Sequence, residues 1–128
     1  MIPKSMGFVR TSDKTRADSL DFKSFYIRKE QATSIAAGLQ QSRFIKNVKL
    51  RNCGLTDDVF LTIIEKLDRY SLKQLDISYN PNLTNKSYEA LANIILDKRC
   101  DLTHLDVEGN QMGDKNLFII TSALQEVK

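Results

Sequence analysis

His104 is the sole histidine of this 128-residue chain. Asp106 stands two positions further on, and Asp76 holds the matching place in a similar stretch 30 residues earlier. An imidazole beside carboxylates is raw material for acid–base catalysis. A catalytic set also needs a nucleophile or a metal within reach, and no serine, cysteine or ligand cluster completes one here. His104 therefore reads as a surface residue of a strand. The two thiols, Cys53 and Cys100, are 47 residues apart. One His with two such Cys lacks zinc spacing, and two Cys are too few for a disulfide framework. Cys100 opens the turn before Leu102 and is expected to pack there. The five glycines, at 7, 38, 54, 109 and 113, form no phosphate-cradling loop. These residues predict no enzyme, no metal and no cofactor.

The elements that carry them must fit one domain, because two cores would each be too small at this length. Hydrophobic residues make up 41% of the chain, which supports a core and argues against disorder. No apolar stretch approaches the ~18 residues that a membrane span needs. The first ten residues lack the apolar run of a secretory signal, and neither end carries a lipidation signature. A cytoplasmic location follows as the expectation. The net charge is +3, and residues 1–16 hold all of it, with Lys4, Arg10, Lys14 and Arg16 against Asp13. The remaining 112 residues balance 15 basic against 15 acidic groups. Residues 1–16 are expected to be a basic tail or a partial cap, with Met6, Phe8 and Val9 able to pack. Without a basic stripe on the body, nucleic acid is not an expected partner.

A repeat runs through residues 17–128. Ile45, Val48, Leu50, Cys53, Leu55, Val59, Ile63 and Leu67 are spaced 3, 2, 3, 2, 4, 4, 4. Leu102, Leu105, Val107, Asn110, Met112, Asn116, Ile120 and Leu124 repeat those spacings. The series from Leu72 through Leu75, Ile77, Asn80, Leu83, Ser87, Leu91 and Ile95 differs once, where Pro81 and Asn82 add a residue. A weaker copy starts at Ala17 and runs through Leu20, Phe22, Phe25, Ile27, Gln31, Ile35 and Leu39. The periods are 28, 27 and 30 residues.

Each x-Leu-x-Leu-x segment alternates at period two and predicts a strand with one face inward. Apolar residues four apart then predict a helix lying on that face. Thr56-Asp57-Asp58 and Thr84-Asn85 are expected to cap and charge the helix starts, with Gly113-Asp114 doing so more loosely. Asn82-Leu83-Thr84 and Asn85-Lys86-Ser87 match the glycosylation pattern but read as cap and turn chemistry. Asn80 and Asn110 are expected to form a ladder to the backbone of neighbouring turns, with Cys53 as a small buried thiol in the same slot.

The pattern L-x-x-L-x-L-x-x-N/C-x-L resembles the leucine-rich repeat, and its helical half is similar to the ribonuclease-inhibitor-like subclass. The resemblance implies an α/β solenoid of about four repeats, a short curved parallel sheet with helices on the convex side. Its core is made by stacking, since no repeat buries its own apolar face. Residues between the leucines then point onto the concave surface. One row reads Ser19, Asn47, Gln74 and His104. The next reads Asp21, Lys49, Asp76 and Asp106, and the last Lys23, Arg51, Ser78 and Glu108. Tyr79, beside Pro81, is the best single anchor candidate. The face grades from basic at Lys49 and Arg51 to acidic at Asp106 and Glu108, which suits a partner with the reverse gradient.

A polar cap after the last helix is missing from the pattern, so a partner or further repeats are expected to cover the C-terminal end. The expected function is a non-enzymatic scaffold or interaction module in a larger cytoplasmic assembly, with the cytoskeleton or cilium as its leading setting. The resemblance also implies two alternatives, a RanGAP-like activator of GTPases and an enzyme inhibitor. Both types have many more repeats than four.

Overall fold

The computed structural model describes residues 8–10, 17–41, 45–67 and 71–126. Five strands form one sheet in chain order, β1 (Phe8–Arg10), β2 (Ala17–Asp21), β3 (Asn47–Lys49), β4 (Gln74–Asp76) and β5 (His104–Asp106). Strands β2 to β5 are parallel. Four helices alternate with them, α1 (Lys29–Gln41), α2 (Asp57–Ile64), α3 (Asn85–Leu96) and α4 (Asp114–Glu126). Parallel neighbours need a crossover between them, and a helix supplies each one. The architecture is a four-repeat α/β solenoid, with the helices on the convex side of a short curved sheet.

The register follows from the alternation. Leu20, Val48, Leu75 and Leu105 lie abreast across the four parallel strands. The residues before them, Ser19, Asn47, Gln74 and His104, form a second row, and Asp21, Lys49, Asp76 and Asp106 a third. A slip of one residue would turn every leucine outward, so burial holds the register. Behind the sheet, Leu20, Phe22, Leu50, Leu55, Phe60, Ile63, Ile77 and Tyr88 are all sealed from solvent.

Stacking is fastened by the backbone as well. Phe22, Leu50 and Ile77 each donate their N–H to a carbonyl of the next repeat, those of Lys49, Asp76 and Asp106, at 2.7–2.9 Å. Ser24, Asn52 and Tyr79 do the same to Arg51, Ser78 and Glu108. The residue before each ladder position has a positive φ in all four repeats, Ser24 (65°), Asn52 (55°), Tyr79 (57°) and Gly109 (74°). This left-handed step lets the chain leave the sheet and start toward the helix.

Among the elements, two features depart from the sequence expectations and one adds to them. Phe8–Arg10 adds a fifth strand, antiparallel to β2. The rest of the proposed tail or cap, including Met6, lies outside the described residues. Neither Thr56 nor Thr84 caps its own helix through its side chain. Leu124 is exposed, and Ala123 takes its place in the core beside Ile120 and Asn116. The wheel of α4 is turned by one position from the strict four-residue spacing. Leu102, Leu105, Val107 and Met112 are only partly buried, because no described repeat stacks beyond them. Among the described residues, no helix is long and apolar enough to cross a membrane.

Candidate functional site

The strand face carries the side chains that packing leaves free. Asn47 is half-buried and its amide donates to Ser19 Oγ at 3.1 Å, so the first row begins already linked. Gln74 and His104 continue it and are exposed. His104 Nδ1 lies 2.9 Å from the Thr103 hydroxyl. Lys49, Gln74, Asp76, His104 and Asp106 line a shallow groove of about 350 Å³ floored by Val48, Leu75 and Leu105. Asp76 and Asp106 stand beside His104, yet no group of three or more His, Cys, Asp or Glu is placed to hold a metal among the described residues.

The aspartates of the third row have a local task that their row position did not reveal. Asp21, Asp76 and Asp106 each accept the backbone N–H two residues on, from Lys23, Ser78 and Glu108, at 2.9–3.0 Å. These Asx turns brace the end of each strand, and Lys49 is the one member of the row that cannot make one. One carboxylate oxygen of each aspartate is thereby occupied.

Ser78 keeps its place in the row but is fully buried instead of open to solvent. Its hydroxyl donates to Asp76 Oδ1 and accepts from Arg51 Nη1 at 3.2 Å. The long Arg51 side chain folds over it. The same guanidinium lies over the ring of Tyr79, 4.5 Å from its centroid. Tyr79 is 39% exposed, and its ring rests against Gly109 so closely that a β-carbon there would sit 2.4 Å from Tyr79 Cδ1. Tyr26 rests on Gly54 in the same way, with Arg28 lying 5.5 Å from its centroid. Sequence reasoning missed this aromatic ridge at Tyr26. The glycines at 54 and 109 were its only available signal.

Beneath the face runs a ladder of side chains. Asn80 is fully buried; its Oδ1 accepts the N–H groups of Cys53 (3.0 Å) and Leu55 (3.1 Å). Its Nδ2 faces the carbonyls of Leu50, Ile77 and Ser78 at 2.8–3.0 Å. Asn110 accepts from Asn80 N at 2.6 Å and donates to Ile77 O at 3.0 Å. Cys53 Sγ donates to Phe22 O at 3.0 Å. Each rung therefore ties its repeat to the one before. Burial pushes the Cys53 thiol up to about 12, with backbone hydrogen bonds opposing only part of that shift. It is an inert packing group rather than a nucleophile.

The C-terminal end offers a second, apolar surface. Phe118 (70% exposed) and Leu117 stand out from α4. Phe118, Leu96 and Ala92 line a cleft of about 720 Å³ between α3 and α4.

Two stretches, residues 71–92 and 99–115, match the family model described as Leucine Rich repeat. They cover the strand and most of the helix of the third repeat, and the strand and turn of the fourth. A solved structure of the tropomodulin C-terminal domain from Caenorhabditis elegans is similar in fold, with a TM-score of 0.65 at 19% identity. The match covers 89% of this chain and 70% of that one. Comparison with curated proteins finds no match. Register and likeness of fold agree: the fold is a leucine-rich repeat solenoid, and residues 71–92 and 99–115 carry the repeat's own sequence.

Proposed function

We propose that the chain is a non-enzymatic interaction module that grips another protein with its strand face, as a subunit of a larger cytoplasmic assembly associated with the cytoskeleton. The observation that carries this reading is the alignment of Asn47, Gln74 and His104 beside Lys49, Asp76 and Asp106 at fixed strand spacing. Parallel strands about 4.8 Å apart present these groups as a rigid grid, so little ordering is needed when a partner docks. The likeness to a tropomodulin domain supports the cytoskeletal setting. The cleft beside Phe118 is a second place for a partner to rest.

Affinity capture from cells tests the reading. The wild-type chain is compared with a face variant carrying Asn47→Ala, Lys49→Ala, Gln74→Ala and His104→Ala, and with a convex-side variant carrying Gln40→Ala and Lys66→Ala, both away from the cleft beside Phe118. The face variant is expected to lose the proteins that the other two recover, while its melting temperature stays within about 3 °C of wild type. Recovery of the same proteins by all three would overturn the strand face as the gripping surface.

A further inference from the structure

We infer that Arg51, seated on Tyr79 and flanked by Lys49, is a preformed receptor for a carboxylate on an acidic segment of the protein partner; this rests on the strand face being the gripping surface. Arg51 is held in place without being neutralised. Its guanidinium touches a neutral hydroxyl, Ser78 Oγ at 3.2 Å, and a neutral ring, Tyr79 at 4.5 Å. Ion pairs among the described residues join Lys73 to Asp101 and Arg99 to Asp97, and none includes Arg51, Lys49 or Lys23. Asp76 is the acid that register places nearest, and its Oδ1 is already shared by the N–H and hydroxyl of Ser78. A guanidinium has five N–H donors, and Ser78 takes one. Stacking on a ring and one hydrogen bond fix its plane, and the remaining edge matches the two oxygens of a carboxylate.

The backbone supplies an independent sign. Tyr79 adopts a φ of 57°, a left-handed conformation that a bulky side chain takes only under strain. The same slot in the flanking repeats holds Asn52 and Gly109, residues that take this conformation readily. This strained position puts the phenol ring beneath Arg51, beside its contact with Ser78. Charge then sets direction. Lys23, Lys49 and Arg51 lie toward β2 and β3, where they outnumber Asp21, and Asp106 and Glu108 lie at β5. An acidic segment is steered to the β2–β3 side and repelled from β5.

The whole chain is titrated with a fluorescein-labelled decapeptide alternating Glu and Ser, and with its Gln counterpart, at about 50 mM salt. The Glu peptide is expected to bind about tenfold more tightly, the size of a charge-assisted pair. Arg51→Ala abolishes that ratio. Ser78→Ala keeps the charge but loosens its seat, and reduces the ratio by roughly half or more. Lys86→Ala, which removes an exposed charge from α3, leaves it unchanged. Equal binding of the two peptides overturns the inference, as does equal loss from Arg51→Ala and Lys86→Ala, the mark of general charge attraction. Should the face variant above lose its partner while the peptides bind alike, the gripping face stands and the carboxylate receptor falls. Should the peptides discriminate through Arg51 while that variant keeps its partner, the receptor stands and the gripping face falls.

Discussion

Asp57, the first residue of α2, accepts the backbone N–H of Thr84, at the start of α3, at 2.9 Å. The Thr84 hydroxyl also donates to this carboxylate, and Ser87 Oγ does so at 2.6 Å. Helix α3 is thus capped by the repeat before it instead of by its own threonine. Local folding of one repeat and docking of the next are joined through a single carboxylate.

Asp57→Ala should cost about 1–2 kcal/mol in urea denaturation, the worth of a helix cap. Ser87→Ala in the same background should add little, because its partner is already gone. Burial works to raise the Asp57 carboxyl, but the bonds from Ser87 and Thr84 outweigh it and hold it below its ordinary value. The ionised form is therefore favoured by folding. Its contribution is complete above the ordinary carboxylate range and is lost as pH falls through the lowered value. Urea midpoints taken from neutral to acid pH should fall less steeply for Asp57→Asn than for wild type.

Asn80→Ala strips the acceptor from two buried N–H groups, those of Cys53 and Leu55. Each orphaned donor costs about 1–3 kcal/mol, so the total loss should be about 2–6 kcal/mol. Chemical denaturation checks the magnitude. Hydrogen exchange checks the place, since protection at Cys53 and Leu55 should fall first.

Gly109→Ala forces a β-carbon into the Tyr79 ring and onto a φ of 74°. A loss of about 1–3 kcal/mol is expected. Tyr79→Asn alone should be nearly neutral for stability, since relief of backbone strain offsets lost ring contact. In the double variant the clash is gone and only the φ penalty stays, so the cycle should show coupling of at least about 0.5 kcal/mol.

The thiols should separate cleanly. Cys53 is fully buried with its thiol pushed up to about 12, while Cys100 is half-buried. Under native conditions at pH 8, iodoacetamide should modify Cys100 and leave Cys53 intact. Cys100→Ser should abolish native labelling, and denaturant should restore one site. Labelling of Cys53 in the folded protein would contradict its placement.

The sheet was legible in advance because period two and period four are dictated by backbone geometry, so Val48, Leu75 and Leu105 had to share one face. The strand Phe8–Arg10 was not, since it is three residues long and outside the repeat. Rules for caps look three residues ahead and cannot see Asp57 reaching Thr84 across 27 positions. Ser78 was expected outward from its row; only the three-dimensional path of Arg51 explains its burial. The left-handed step was hinted by Asn52 and Gly109 at one offset, and hidden at Tyr79 by a residue type that seldom adopts it.

β1 runs against β2 and occupies the edge that would otherwise accept a parallel neighbour. A second molecule's β5 therefore finds that berth taken. Nose-to-tail queuing of copies through their sheets would have to pass by way of this three-residue strand, whose reversed direction interrupts the one-way stacking of the repeats.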